Sequence, residues 1–373
     1  MISGVQYDQI HDALSGFTAA TGVIVEVAYH GDHLSLNAHL SAVGTAGVPY
    51  DLVSTHSKYA PSQRSWLRPL DDLLTANEQA EFDDGALGLC RLHGSLLCVP
   101  RNIDARLLFV NRDHVDDSWT PSSWIDLLEV ARRIRHDKRC AGFAFPTRNS
   151  GLFGTFYELT RAFGGHLFDA DGRPDFVSPA AVEALRWMIN ASDDAQVAPH
   201  HMARDGWYFD EVSSGYRVRE VAMIGDWPGY YAALRRVPGG CDHVRVMRYP
   251  TGIDGRRYVY AGCHAWAIPV SARNIELSMA LLRHLVSPAS AMLDAGAGMI
   301  PVRRDVHVPI KDDLDTQRAR LIELTVAHDL LTFPPMTNYP ILEDKAASSL
   351  RAALVGQIDP VLALRDAQRD CSG

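Results

Sequence analysis

Hydrophobic and polar residues alternate along the chain in two different periods, which predict a succession of helices and strands. Apolar side chains recur at helical spacing between Tyr7 and Thr21, and the β-branched run VIVEVAY follows as a strand. The succession repeats as LNAHLSAVGTAG, a helix closed by glycine, and YDLVST, a second strand. Regular alternation of this kind predicts an α/β protein whose mostly parallel sheets are flanked by helices.

The same alternation continues through the second half of the chain. The predicted helices there are WIDLLEVARRI, FGTFYELTRAF, SPAAVEALRWMINAS and IELSMALLRHLVS, and the predicted strands are CAGFAFP, VREVAMIGD and the strand pair YVYAGCHAWAIPV. The tail beyond these segments is predicted to be helical. No apolar run approaches the ~20 residues that a membrane-spanning helix needs.

The segment Gly94–Asp113 interrupts this regular pattern in an informative way. A short apolar strand ends at Pro100, a polar break holds Arg101, Asn102 and Asp104, and the apolar strand LLFV follows. Because an unpaired buried charge is costly, a pure core segment would not place these side chains there. The segment therefore predicts a hinge between two lobes, with the polar kink facing the space between them.

Length and composition agree with two lobes. The chain has 373 residues, of which 47% are hydrophobic and 22% are charged, as in ordinary soluble globular proteins. Single cores rarely grow beyond ~250–300 residues, so 373 residues favour two. The net charge is −9 and the basic residues are scattered, which argues against nucleic acid as a partner.

Five segments, taken in order, carry a resemblance to a known family. They are GSLLCVPRNIDARLLFVNRD, PSSWIDLLEVARRI, AFGGHLFDADGRPDF, MIGDWPGYY and GMIPVRRDV. Their order and spacing resemble extracellular solute-binding proteins of the maltodextrin-binding type, which are receptors of carbohydrate ABC importers. The resemblance runs from about Phe17 to about Val306. It implies the type II periplasmic-binding-protein fold, with two lobes joined by a hinge that the chain crosses several times.

The resemblance also implies where each lobe begins and ends. Lobe I is expected to comprise residues 1–106 and 262–303, and lobe II residues 107–261 and 304–373. Members of the family usually open with a β-strand, for which only MISGVQ is available here, so that strand is expected to be short or trimmed. The N-terminal residues lack the pattern of a signal peptide, and the resemblance implies that one was removed. A periplasmic or extracellular, membrane-anchored monomer that docks on permease subunits is expected.

Ligand contacts are expected on loops after strand ends, where apolar walls and a few placed polar groups form small-molecule pockets. Aromatic faces suit the apolar side of a sugar, and planar polar side chains suit its hydroxyls. In the resemblance, an aromatic residue after a small-residue strand end often stacks on the ligand, which makes Trp227 the strongest candidate. The candidates are His56, Tyr59, Arg101, Asn102, Asp104, Arg148, Asn149, Ser150, Trp227, Tyr230, His264, Trp266 and Arg303.

Each group of candidates has a structural alternative. Arg101 and Asp104 suit a salt-bridge cluster between lobes equally well, and the loop after CAGFAFP suits plain solvation. Trp266 suits the core, and Arg303 suits the surface. If Arg101, Arg148 and Arg303 converged instead, a phosphorylated polyol would fit, since guanidinium groups bind phosphate well.

Two other functions compete with a carbohydrate receptor. A ferric-ion receptor of similar architecture would use adjacent tyrosines such as Tyr230 and Tyr231. A cytosolic two-lobe enzyme would explain the missing signal pattern, but none of the sequence motifs for nucleophile elbows, zinc proteases or nucleotide loops occurs. No cofactor or metal is expected. The cysteines suit either disulfides (Cys90 with Cys98, or Cys241 with Cys263) or isolated buried thiols.

Overall fold

The computed structural model describes residues 2–3, 9–31, 33–44, 47–138, 140–193 and 197–371. Its strands are β1 (Ile2–Ser3), β2 (His30–Gly31), β3 (Val53–His56), β4 (Arg91–Leu92), β5 (Ser95–Leu96), β6 (Val99–Ala105), β7 (Leu107–Asn111), β8 (Ala141–Ala144), β9 (Val221–Asp226), β10 (Val244–Met247), β11 (Val259–Ala267), β12 (Ile300–Pro301) and β13 (Leu330–Leu331).

Helices of very different length connect these strands. They are α1 (Ile10–Thr21), α2 (His33–Gly44), α3 (Ala60–Gln63), α4 (Ala76–Gln79), α5 (Asp84–Leu89), α6 (Trp124–Lys138), α7 (Asn149–Ala162), α8 (Pro179–Asp193), α9 (Met202–Asp205), α10 (Phe209–Arg217), α11 (Pro228–Arg235), α12 (Ile275–Leu285), α13 (Pro288–Gly296), α14 (Asp313–His328), α15 (Tyr339–Leu354) and α16 (Pro360–Cys371). No helix among the described residues is both long and apolar enough to cross a membrane.

Two sheets organise the molecule. Sheet A joins β12, β6, β11 and β13 in that order, with β3 also paired to β11, and sheet B has the order β10, β7, β9, β8. The β6–β11, β3–β11, β7–β9 and β7–β10 pairs are antiparallel, and only β11–β13 and β8–β9 among the described pairs of these sheets are parallel. The predicted mostly parallel arrangement is therefore wrong. The chain leaves sheet A along β6 and returns along β11, so these neighbours run in opposite directions.

The chain passes from sheet A to sheet B at a different point from the predicted kink. Strand β6 continues without interruption through Arg101, Asn102 and Asp104, and the break falls at Arg106, between β6 and β7. The guanidinium of Arg106 is buried and pairs with the Glu158 carboxylate of α7, which compensates its charge. The polar residues lie in a strand because partners compensate their charges: Asp104 meets histidines of the neighbouring strands, and Arg101 pairs with Asp294 of α13.

Most predicted helices and strands are found, with two clear exceptions. The run VIVEVAY alternates between half-buried and exposed positions, yet residues 23–29 are not a strand, because the described ladder on this segment reaches only His30 and Gly31. The expected strand pair YVYAGCHAWAIPV is the single strand β11. Helix α1 is described from Ile10 onward, and Tyr7 lies outside the described residues.

Helices pack around both sheets and enclose one extended apolar core. Helices α15 and α16 pack on each other, and α15 also packs on α7 and α8, next to sheet B. Sheet A is covered by α5, whose residue Ala86 lies against Cys263 of β11. This packing fixes β6, β11 and the start of α7 relative to one another, and these three elements carry most of the candidate site.

Candidate ligand-binding site

Four polar side chains come together on one face of sheet A, and we call this group the polar wall. His264 of β11 lies in register with His56 of β3 on one side and with Asn102 of β6 on the other. Aligned residues of antiparallel neighbours point to the same face, and Asp104 shares that face because it lies two residues after Asn102. Three strands distant in sequence therefore build a single polar surface.

Asp104 is the centre of the polar wall. Its carboxylate lies 2.8 Å from Nε2 of His264 and 3.6 Å from Nε2 of His56, and it accepts a hydrogen bond of 2.9 Å from the Asn102 amide. Burial alone raises the pKa of Asp104, but His264 and His56 outweigh it and hold the pKa well below its ordinary value. Asp104 is thus a fixed anionic acceptor whose remaining lone pairs suit hydroxyl donors.

A glycine on β11 makes room for His56. A Cβ atom at Gly262 would lie 2.2 Å from Cε1 of His56, far inside van der Waals contact. Gly262 is aligned with Asp104 in the β6–β11 ladder, so the imidazole covers the glycine to approach the carboxylate. Close approach of a side chain to backbone is one reason for a glycine in the interior of a strand.

His56 is held in its neutral form. Burial lowers its pKa from 6.5 to about 4, despite the nearby Asp104 carboxylate. The backbone N–H of Lys58 donates to Nδ1 of His56 at 3.2 Å, which leaves the proton of the neutral ring on Nε2, toward Asp104. The imidazole therefore orients the carboxylate without carrying a charge at neutral pH.

Aromatic side chains adjoin the polar wall, and we call Tyr208, Phe209, Trp227 and Tyr230 the aromatic wall. Phe209 lies 4.2 Å from the Tyr208 ring and meets Trp227 edge-on at 5.4 Å. Trp227 follows β9 directly and also meets Tyr260 of β11 edge-on at 5.8 Å. Since Tyr260 lies two residues before Gly262 on the same strand, the two walls meet along β11.

Two buried polar atoms of these walls have no hydrogen-bond partner among the described residues. They are Oδ1 of Asn102 in the polar wall and Nε1 of Trp227 in the aromatic wall. A buried polar atom without a partner is costly, and ligand-binding sites are one place where such atoms occur. One acceptor of the polar wall and one donor of the aromatic wall therefore lack a partner in the described part of the chain.

The N-terminal end of α7 contributes two of the predicted residues. Oγ of Ser150 lies 2.5 Å from the Tyr208 hydroxyl, and the Arg148 guanidinium lies 5.0 Å from the centre of the Tyr208 ring. Arg148 also donates to the backbone carbonyl of Gly206 at 2.7 Å. Asn149, between them, has a left-handed backbone with φ of 52°. Arg148 and Ser150 thus hold the aromatic wall in place.

Four predicted site residues lie elsewhere. The first is Tyr59, which is buried and donates to Glu343 at 2.6 Å. Tyr230, in contrast, belongs to the aromatic wall, and its hydroxyl donates to Asp210. Arg101 points to the other face of β6, where it forms a bidentate pair with Asp294. Trp266 is the third; it is 1% exposed, and the Arg101 guanidinium, which pairs with Asp294, lies over its ring. Arg303 is the fourth, and it pairs with Glu81 and Asp305.

Strand geometry explains these placements. Arg101 alternates with Asn102 and Asp104 along β6, so it faces the opposite side of sheet A. The register between β6 and β11 shifts between His264 and Ala265, and beyond this shift Trp266 is aligned with Val99 and not with a residue of the polar wall. The three arginines considered for a phosphate group each bind different partners, so they form no common anion site.

Residues that the sequence interpretation missed complete the site. Tyr208 and Phe209 belong to the run WYFD at the start of α10, and Arg106 lies 5.0 Å from the Trp227 ring. The available signal was three aromatic residues in succession next to an acidic helix start. Lys58 and Glu343 were also missed, because they are 285 residues apart and meet only through the fold.

Comparison with known proteins establishes the family. Residues 5–292 match the sequence profile of a family described as bacterial extracellular solute-binding proteins. The chain belongs to this family.

Solved structures show the same fold, and a relative resembles the chain in sequence. The structure matches maltose-bound MalE3 of T. maritima with a TM-score of 0.89 and 23% identity, covering 99% of this chain and 97% of that one. It matches a ribitol complex of an ABC transporter solute-binding protein from Agrobacterium radiobacter K84 with a TM-score of 0.85 and 18% identity, covering 99% and 96%. A binding protein of Brucella abortus (strain 2308) is 21% identical over 337 residues, which cover 89% of this chain and 78% of that protein. The predicted two-lobed α/β fold is confirmed.

Proposed function

We propose that this protein is the solute receptor of an ABC importer and that it captures a carbohydrate or polyol between two closing lobes. The observation that carries the proposal is the meeting of the polar and aromatic walls along β11. Asp104 offers an oriented anionic acceptor, Trp227 offers an aromatic face and an unpartnered N–H, and Asn102 offers an unpartnered carbonyl oxygen. An apolar face beside placed polar groups matches the two sides of a sugar ring.

The lobes of this proposal follow the predicted boundaries. Lobe I comprises 1–106 with 262–303, and lobe II comprises 107–261 with 304–373. The polar wall lies on sheet A in lobe I, and the aromatic wall lies beside sheet B in lobe II. A ligand that contacts both walls has higher affinity for the closed arrangement, which is the differential affinity that closure requires.

The wider context of the proposal follows from the family. The structural relatives include proteins described with maltose and with ribitol, and the latter is described as an ABC transporter component. We accordingly propose a monomer, located in the periplasm or anchored outside the cell, which delivers its ligand to permease subunits and catalyses no reaction.

Two of the competing ligands have less support. The adjacent tyrosines considered for ferric ion bind different carboxylates, since Tyr230 donates to Asp210 and Tyr231 to Asp315. Among the described residues, no group of three or more His, Cys, Asp and Glu side chains is arranged to hold a metal ion. A phosphorylated polyol would need arginines that converge, and Arg101 and Arg303 are each committed to carboxylates.

A thermal-shift screen tests the proposal. The panel contains monosaccharides, maltose, ribitol and other polyols, sugar phosphates, amino acids and ferric citrate. A compound present at 100 times its dissociation constant stabilises the folded protein by about 2.7 kcal/mol, which the melting temperature reveals. We expect stabilisation by neutral sugars or polyols. A response confined to ferric citrate, sugar phosphates or amino acids would contradict the proposal.

A further inference from the structure

A buried ion pair lies beside the candidate site and is surrounded by tyrosines. Nζ of Lys58 donates to Oε1 of Glu343 at 2.7 Å and to the hydroxyl of Tyr260 at 2.9 Å. The Tyr59 hydroxyl donates to Oε2 of Glu343 at 2.6 Å, and the Tyr339 hydroxyl donates to Oε1 at 2.8 Å. We call these five residues the Lys58–Glu343 cluster.

The cluster is well shielded from water. The side chains of Lys58 and Glu343 are 9% and 4% exposed. The ammonium group lies 4.8 Å from the ring centre of Tyr59, 5.5 Å from that of Tyr260 and 5.6 Å from that of Tyr339. Burial lowers the pKa of Lys58, but Glu343 outweighs it and raises the pKa well above its ordinary value, so the group stays charged.

Lys58 and Glu343 lie in the two different lobes of the proposed function. Lys58 lies two residues after His56, directly beyond β3 of sheet A. Glu343 lies on α15, which packs against α7 and α8, and Trp187 of α8 contacts Phe143 of β8 in sheet B. Helix α7 begins with the residues that hold the aromatic wall. The cluster therefore ties the loop behind the polar wall to the body that carries the aromatic wall.

Separation of the two bodies would have a large effect on this cluster. The hydrogen bonds that Glu343 accepts from Lys58 and Tyr59 come from the two consecutive residues of the sheet A loop, so relative motion breaks both at once. A buried ion pair whose partners separate leaves charges that must be hydrated again or remain uncompensated. If the lobes separate as the proposed function requires, the cluster therefore breaks.

We propose that the Lys58–Glu343 cluster is a latch between the two lobes, which biases the ligand-free protein toward the closed arrangement and thereby raises apparent ligand affinity. This inference rests on the proposed function, because it assumes that closure and binding are linked. When only a fraction of the molecules is competent to bind, the apparent dissociation constant is the intrinsic constant divided by that fraction. A broken latch lowers that fraction and weakens binding without altering a ligand contact.

The test compares Glu343→Gln with a matched pair inside one lobe. The control is Asp294→Asn, since Asp294 forms a bidentate, buried pair with Arg101 and both residues lie in the proposed lobe I. Small-angle scattering of the ligand-free proteins should give a larger radius of gyration for Glu343→Gln than for the parent or for Asp294→Asn. Equal radii for all three proteins would overturn the latch.

Calorimetry with ribitol and with maltose provides the second readout. Whichever of the two binds the parent should bind Glu343→Gln at least tenfold more weakly and Asp294→Asn within twofold of the parent. Unchanged affinity in Glu343→Gln, with only a lower melting temperature, would show a purely structural pair. If neither compound binds the parent, the proposed function loses support, and scattering still decides the latch.

A milder variant covers the case in which Glu343→Gln does not fold. Tyr59→Phe removes one hydrogen bond to Glu343 and keeps the ring beside the ammonium group. It should shift the radius of gyration and the affinity in the same direction as Glu343→Gln, by a smaller amount. A folded Tyr59→Phe variant that matches the parent in both readouts would overturn the inference.

Discussion

The polar wall and the aromatic wall differ in how their side chains are held. In the polar wall, Asp104 is fixed by three donors from three strands, so its position depends on charge and hydrogen bonding. In the aromatic wall, Trp227 is held by edge-on packing against Phe209 and Tyr260, and its N–H lacks a described partner. The polar wall supplies directed hydrogen-bond acceptors, and the aromatic wall supplies apolar contact area. Substitutions should therefore reveal electrostatic sensitivity in one and contact-area sensitivity in the other.

The largest expected effect concerns the dependence of stability on pH through His56. Its pKa is 6.5 unfolded and about 4 folded, so the unfolded state binds more protons between these values. The stabilisation is complete above pH 6.5 and is lost as pH falls toward 4, by roughly 3 kcal/mol at 1.36 kcal/mol for each pKa unit. Urea unfolding at pH 7 and pH 4.5 should show that His56→Gln, which cannot titrate, loses less stability than the parent. An equal loss of stability in the parent and in His56→Gln would contradict a neutral, buried His56 imidazole.

The next effect in size is that of Asp104→Asn on ligand binding. The amide removes the negative charge and presents an N–H₂ group to one of the two histidines, so binding should weaken by roughly 2–3 kcal/mol, the scale of hydrogen bonds to charged groups. The melting temperature should fall less than the affinity. Calorimetry and thermal unfolding of the same preparation check both quantities. A large fall in melting temperature with intact affinity would assign Asp104 to structure alone.

Trp227→Ala tests the aromatic wall. Loss of one well-packed aromatic contact should weaken binding by ~1–3 kcal/mol, with little dependence on salt or pH. Trp227→Phe keeps an aromatic face but removes the N–H, so the difference between Trp227→Phe and the parent reports the hydrogen bond, and the difference between the two variants reports the aromatic face. Titration calorimetry on folded variants measures both. Equal affinity of Trp227→Ala and the parent would exclude stacking on the ligand.

The smallest effect is expected from one added methyl group at Gly262. Its Cβ would displace the His56 ring from Asp104, and we expect binding to weaken by about 1 kcal/mol, the scale of one net hydrogen bond. Gly88→Ala is the matched control, because a Cβ at Gly88 would meet no atom within 4 Å. Affinity measured for both variants should fall only in Gly262→Ala. An equal fall in affinity in Gly88→Ala would contradict the inference that Gly262 is needed for the close approach of the His56 ring.

Individual residues show how much of the site the sequence could predict. His56 and Asp104 were selected from their positions near predicted strand ends, and Trp227 was selected because the family resemblance places a stacking aromatic residue after such a strand. Their role as ligand contacts stays a prediction. Arg101 and Trp266 were candidates too, but Arg101 pairs with Asp294 and Trp266 is aligned with Val99 beyond a register shift, so neither belongs to the polar wall. Local pattern identifies residue types near a site, whereas the direction of each side chain depends on register.

The sequence by itself determined several of the long helices, most strands, the two-lobed class and the family, because periodicity and the order of segments can be read directly from the chain, whereas helices such as α10, α11 and α13 were not predicted. Only the tertiary structure decided the antiparallel pairing of β6 with β11, the break at Arg106 and the three-strand polar wall. It alone also brought Lys58 to Glu343 across 285 positions. The physical reason is that burial, register and charge compensation arise between segments distant in sequence, and no local pattern specifies which segments will meet.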